Sequence, residues 1–299
     1  MQITAEIKGF KAFLILERAF SNHSIEAYLR DVQKFTQFIG QDFPDDHLSN
    51  LNLGHFNKFI TNLDSLGIAK SSQARNISSL KTFFKYLTYE SVIHQNPTEL
   101  LEAPQTTHKL PEVLSIEEID AMIAAIDHSK PEGLRNKAII EVLYGCGLRV
   151  SELTGLKLSF YYPELGFLRV KGKGKKDRLV PINATAIKHL DIYLNQVRNA
   201  QDVKQGHEDF VFLNRRGSTL SRIMVFNIIK DLATLAGIKK NISPHTFRHS
   251  FATHLYDGGA DLRFIQEMLG HETIITTEIY TKVGSEHLRD TLTQFHPRF

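Results

Sequence analysis

The stretch NPTELLEAPQTTHKLPEV, residues 96–113, constrains the architecture of this chain more than any other segment. It holds Pro97, Pro104 and Pro111 with mostly polar residues between them. A proline has no amide hydrogen to donate and disfavours helix in the residue before it. No helix or strand runs through such a series, so residues 104–113 read as a linker. The flanking segments, 1–103 and 114–299, are each long enough for a domain with its own core.

The N-terminal segment reads as helices. In SNHSIEAYLRDVQKFTQFIG, the residues Ile25, Tyr28, Leu29, Val32, Phe35 and Phe38 recur at helical spacing, with Ser24 as N-cap and Gly40 as the stop. SSQARNISSLKTFFKYLTYE repeats the format through Ile77, Leu80, Phe83, Phe84 and Leu87, and leaves Arg75, Lys81 and Lys85 off that face. Aromatic stripes at this spacing fill cores. Beyond the linker, Ser115 with Glu118 forms a capping box ahead of a helix in SIEEIDAMIAAI. RNKAIIEVLY is a further helix, broken at the Gly-Cys-Gly of 145–147. In GFLRVKGKGKKDRLVPI, 166–182, two runs of Val, Leu and Ile flank a Gly/Lys turn, which predicts a hairpin. The fold class is therefore mostly α with a small antiparallel sheet.

Cys146 is the single cysteine, so no disulfide forms within the chain and a reducing cytosol suits it. MQITAEIKGF lacks the apolar run of a signal peptide, and no stretch is apolar for long enough to span a bilayer. A soluble, cytoplasmic protein is expected. Net charge is +3, and it is unevenly placed. Residues 1–106 hold 10 Lys/Arg against 11 Asp/Glu, whereas 107–299 hold 26 against 22. The surplus peaks at KGKGKK, 171–176, which permits a polyanionic partner.

SPHTFRHSFATHL, 243–255, carries His245, His249 and His254 with Arg248 among them. A helix beginning at Pro244 puts Phe247, Phe251 and Leu255 on one apolar face, with His245, Arg248 and His249 beside it. His254 lies nearer the apolar stripe and reads as a core histidine satisfied by hydrogen bonds. A metal site is poorly supported: HExxH is absent, there is one cysteine, and Arg248 would repel a cation. Arginine forks its donors toward oxyanions, so His245 and Arg248 suggest a phosphate or carboxylate. Other cations fit that picture. Arg149 follows the glycine-rich break, with Glu152 placed to orient it; Lys173 stands between two glycines at the hairpin tip; His271 follows Leu269-Gly270, a helix end; Tyr280 comes nine residues later.

In this order and in these local frames, Arg149, Lys173, His245, Arg248, His271 and Tyr280 resemble the active site of the tyrosine recombinase (phage integrase) family. RNKAIIEVLYGCGLRVSELTGL, GKGKKDRLVP, SPHTFRHSFATHLYDGGADLRFIQEMLGH and TTEIYT look like the Xer chromosome-dimer resolvases, closer to the XerD than to the XerC branch. The closing HPRF and SSQARNISSLKTFFKYL fit as well, so the resemblance covers nearly the whole chain. Two segments depart from the family pattern. FYYPELGF, 160–167, replaces a Ser-Asp turn, and YTKV replaces YTH followed by an aliphatic residue.

The resemblance implies a two-domain DNA clamp. A SAM-like, core-binding helical domain (1–103) and the linker would precede a catalytic domain with a C-terminal tail (114–299). It implies Tyr280 as nucleophile, Arg149 and Arg248 on the non-bridging phosphate oxygens, and His271 as a further donor to the phosphate. His245 would be the acid/base partner, Lys173 would protonate the leaving 5′ oxygen, and Glu152 would support Arg149. DNA contacts are expected at Arg30, Arg75, Lys81, Lys171 and Lys175. No cofactor and no metal are expected. The implied partners are a double-stranded recombination site, a second protomer (identical or XerC-like) in a synaptic tetramer, and a septal DNA translocase. Alternatives are a phage or mobile-element integrase, a catalytically silent DNA-binding protein, and a metal-dependent phosphodiesterase. In SEHLRDTLTQFHPRF, Leu288, Leu292 and Phe295 form one apolar face, and the resemblance has this tail docking on a neighbouring protomer.

Overall fold

The computed structural model describes residues 3–18, 20–104, 112–172, 177–270 and 290–298. The chain forms two compact units, Met1–Lys109 and Leu110–Phe299. Among the described residues, no helix is long and apolar enough to cross a membrane.

The first unit is built from α1 (Thr4–Leu16), α2 (Asn22–Asp42), α3 (Leu53–Ser65) and α4 (Lys70–Tyr89). Its core is aromatic. Phe35 stacks on Phe56 with ring centroids 4.8 Å apart and meets Phe59 and Phe84 edge-on. Phe10 packs edge-on against Phe83 at 5.0 Å. Asp31, 1% exposed, accepts from Arg75 and from Ser79 Oγ, which ties α2 to α4. Two expected helix ends move. The N-cap of α2 is Ser21, whose hydroxyl accepts from the Ser24 amide at 3.2 Å, because the local rule fits either serine. Gly40 does not stop the helix, which continues to Asp42 on the anchor of buried Ile39. The end comes at Phe43, the residue before Pro44.

The second unit contains α5 (Ile116–Ala124), α6 (Pro131–Cys146), α7 (Val150–Thr154) and α8 (Ala184–Tyr193), then α9 (Arg222–Leu235), α10 (Pro244–Asp257) and α11 (Leu262–Leu269). Helix α6 runs through Gly145 and ends at Gly147, and from Ala138 to Cys146 every residue is buried. It is the central helix of this core. The expected hairpin is present as β2 (Phe167–Lys171) and β3 (Asp177–Pro181), paired from Phe167 with Pro181 to Lys171 with Asp177. A third antiparallel strand, β1 (Tyr161–Tyr162), was not legible in the sequence. It comes from the atypical FYYPELGF segment, and the Tyr161 hydroxyl donates to Asp191 on α8 at 2.8 Å.

The tail corrects an expectation. Residues 290–298 pack on their own unit rather than presenting an apolar face for a neighbour. Leu292 is fully buried, and Phe295 packs against the same core. The Arg298 carbonyl accepts from Asn183 at 2.9 Å, and its guanidinium pairs with Glu141 at 3.0 Å and with Asp120. His296 contacts the rings of Tyr144 and Phe251. The sequence gives the amphipathic period but not the surface that receives it. Leu288 lies outside the described residues.

Candidate active site

The site begins where α6 ends. Gly147 adopts φ +58°, and a Cβ there would stand 2.5 Å from Phe251 Cδ1. That close approach sets the end of α6 directly against α10. Buried Leu148 follows, and Arg149 then becomes the N-cap residue of α7. Glu152, 6% exposed, accepts from the Arg149 amide at 2.8 Å and from Arg149 Nη1 at 2.9 Å. Two more arginines converge on the same carboxylate. Arg178 of β3 grips it at two points, Nη1 to Oε1 at 2.7 Å and Nη2 to Oε2 at 3.0 Å. Arg248 Nη1 of α10 lies 4.0 Å from Oε2. Burial alone would push the Glu152 carboxyl up; the hydrogen bonds and charge of Arg178 and Arg149 hold it below the ordinary carboxylate range.

Arg248 is 6% exposed, and its partners besides Glu152 among the described residues are main-chain carbonyls. It donates to Gly147 at 2.9 Å and to Leu269, while Arg149 Nη2 donates to Gly270 at 3.3 Å. These carbonyls close α6 and α11, where the helix dipole leaves partial negative charge. Burial, with the neighbouring Arg149 charge, pushes Arg248 down to about 10, so it stays cationic at neutral pH. Helix α11 terminates at Gly270 in the left-handed region, φ +62°, with a Cβ position 3.1 Å from Arg178 Cζ. The residue that launches His271 is thus braced by Arg149 and Arg178. Three guanidiniums around one carboxylate leave a net positive centre with Arg149 part-exposed at 38%, suited to an oxyanion of two negative oxygens.

The structure therefore gathers Arg149, Glu152 and Arg248 into one cluster. His245 is exposed on α10, one turn before Arg248. His254 hydrogen-bonds the Tyr144 hydroxyl at 2.7 Å, as a core histidine should. Lys173, Lys175, His271 and Tyr280 lie outside the described residues. Lys171 is exposed at the end of β2, its Nζ 5.7 Å from the Phe160 ring centroid. In the first unit Arg30 is exposed, Arg75 is engaged by Asp31, and Lys81 donates to the Glu99 carbonyl at 3.4 Å. Arg178 was missed by sequence reasoning. Its signal was present in DRLVP, where period-2 alternation puts it on the buried face with Val180. A buried cation requires a buried partner.

The chain matches two family models: "Phage integrase, N-terminal SAM-like domain" over residues 7–91 and "Phage integrase family" over residues 112–287. It is 43% identical over 297 residues to tyrosine recombinase XerD of Chlorobaculum tepidum, covering 98% of this chain and 96% of that protein. Against the XerD of Listeria monocytogenes it is 40% identical over 292 residues, 98% of each. Among solved structures it is similar to the XerH recombinase bound to palindromic difH substrate in a post-cleavage complex. That match has 25% identity and a TM-score of 0.72, and covers 96% of this chain and 84% of that one. A lambda integrase dimer bound to a COC' core site shares the fold, with a TM-score of 0.69 at 18% identity over 91% of this chain and 96% of that one.

Proposed function

The chain belongs to the phage integrase family, the tyrosine recombinases, and from that premise we propose how its own residues cut and rejoin DNA. It is a site-specific recombinase working through a 3′-phosphotyrosyl intermediate. In the proposed assignment the Tyr280 phenolic oxygen attacks the scissile phosphorus. Phenol ionises near ~10, so the reaction needs cationic surroundings to favour the phenolate. Arg149 and Arg248 hold the two non-bridging oxygens and stabilise charge as the phosphorane forms. His271 adds a hydrogen bond and His245 is the acid/base partner. As the P–O5′ bond breaks, Lys173 gives the leaving oxygen its proton. The new Tyr280–phosphate ester conserves the bond energy for rejoining by a 5′-hydroxyl.

One observation carries the assignment: buried Glu152 holds Arg149 and Arg178, with Arg248 at 4.0 Å, so the protein itself fixes the arginines. Such preorganisation costs no rearrangement when charge develops on the phosphate. Resolution of chromosome dimers fits the identity to XerD proteins. The proposal extends to a cytoplasmic enzyme that pairs with a second copy or a XerC-like protomer and responds to a septal DNA translocase. In it residues 1–103 bind DNA through Arg30, Arg75 and Lys81, 104–113 link, and 114–299 catalyse with Lys171 and Lys175 on the duplex. Incubation with genomic fragments, followed by denaturing capture of covalent complexes and sequencing of the attached ends, tests this. Wild-type protein should yield adducts at one short site and Tyr280→Phe none; adducts from the Phe variant would remove Tyr280 as nucleophile.

A further inference from the structure

Arg178 faces Val170 across the hairpin, one pair away from Lys171–Asp177, the last pair of the ladder. Its side chain is 8% exposed, and both terminal nitrogens go to Glu152. A two-point grip fixes the plane of a carboxylate, which a single contact cannot do. With that plane fixed, Oε1 faces Arg149 Nη1 and Oε2 faces the Arg149 amide. The flank of the same guanidinium lies under Gly270, the residue before His271. Its Nε is buried with no acceptor among the described residues, so the side chain is not arranged to satisfy all its own donors. The groups of the described residues that face Glu152 are Arg149 of α7, Arg178 of β3 and Arg248 of α10.

We propose that Arg178 is a positioning residue for DNA cleavage: from β3 it sets the Glu152 carboxylate in the plane that aims Arg149. Arg178 acts through Glu152 and touches no DNA. The inference rests on the site assignment given above.

Its test is single-turnover formation of the covalent complex on the duplex site identified by adduct sequencing. Wild type is compared with Arg178→Gln, Arg178→Lys, Glu152→Gln and the Arg178→Gln/Glu152→Gln pair. Arg178→Gln should slow adduct formation about 10²-fold, the loss expected when a clamp is misplaced by about an ångström, with DNA binding kept. Arg178→Lys should recover part of that rate. The paired variant should be no slower than Glu152→Gln, because Arg178 acts only through Glu152. In Arg178→Gln alone, the acid limb of the rate profile should move to higher pH, since the hydrogen bonds that offset the burial of Glu152 are gone. Wild-type rates in Arg178→Gln, or losses that multiply in the pair, would overturn the inference. If Arg178→Gln melts far below wild type, Arg178→Lys decides, because it keeps the charge without the two-point grip. A wild-type rate in Arg178→Lys overturns the inference, and a slow rate with wild-type melting supports it. A wild-type chain that forms no Tyr280 adduct overturns the site assignment, and this inference with it.

Discussion

In the N-terminal unit Phe10, Phe35, Phe56, Phe59, Phe83 and Phe84 are each 2% exposed or less, and the buried charged side chain among them is Asp31. In the C-terminal unit Arg135, Glu141, Glu152, Arg178, Arg198 and Arg248 are each 8% exposed or less. Burying phenylalanine stabilises a fold by the area it removes from water. Burying charge does not: desolvation offsets much of the attraction, and an apolar replacement of a buried pair is often neutral or stabilising. What such a cluster supplies is fixed geometry, and two of those four arginines, Arg178 and Arg248, stand at or beside the proposed phosphate site. The first unit spends its interior on stability, the second partly on position.

If that contrast holds, chemistry and stability should separate under mutation. The largest effect is expected at Lys173, where Ala should slow strand cleavage about 10²–10⁴-fold, the range for loss of a general acid. A 5′-bridging sulfur leaves without protonation, so a substrate carrying it should restore Lys173→Ala and leave Arg248→Ala slow. Equal failure of both on that substrate would remove Lys173 from the acid role and point to Lys171 or Lys175. Melting of Lys173→Ala should match wild type.

The opposite signature is expected in the first unit. Phe84 contacts Phe35, Phe56 and Phe83 and is fully buried. Truncation to Ala should cost ~3–5 kcal/mol by lost transfer energy and the cavity left behind. Urea melts of wild type and Phe84→Ala measure it directly. A loss below ~1 kcal/mol would mean that the aromatic core collapses around the gap, and the contrast between the units would weaken.

The tail lies between these extremes. Its docking in cis means that truncation after Val283 removes Leu292 and Phe295 from the core and Arg298 from Glu141. At roughly 1.5–3 kcal/mol for a fully buried large apolar side chain, a loss of about 3 kcal/mol is expected. The sequence alone suggests nearly unchanged melting, because it has the tail docking on a neighbour. Calorimetry of the truncated protein separates the two: melting within a degree or two of wild type would show that the cis packing contributes little in solution.

The misreading of the tail shows what kind of information was legible. Pro244 at a helix start, the Ser115 and Glu118 capping box, the Gly270 helix end and the hairpin register all follow from contacts within a few residues. Arg149 with Glu152 is also local, at i and i+3. Arg178 with Glu152, 26 residues apart, and Arg248 with Gly147, 101 apart, are not. The third strand depends on FYYPELGF meeting β2, and the tail on contacts with Asn183 and Glu141. Order along the chain and family resemblance named the candidate residues. Only tertiary structure showed that one buried carboxylate connects three of the arginines.

The smallest effect concerns a buried histidine under the tail. His296 is 4% exposed, and burial, reinforced by the His254 and Arg298 charges, pushes it down to about 3. Its folded value lies below the ordinary imidazole value of ~6.5, so the unfolded chain binds the extra proton between those limits. The stability it contributes is therefore complete above ~6.5 and is lost as pH falls toward about 3. One unit below the ordinary value, the loss is about 1 kcal/mol. Glu141 responds in the opposite sense, because burial raises its carboxyl, and it is present in both proteins to be compared. Asn at position 296 cannot titrate, so the difference between wild type and His296→Asn isolates the imidazole. Melts at pH 7.5 and 5.5 should show wild type losing about 1 kcal/mol more than His296→Asn. Parallel losses in the two proteins would mean that His296 is already solvated, and that the tail leaves its docked position at neutral pH.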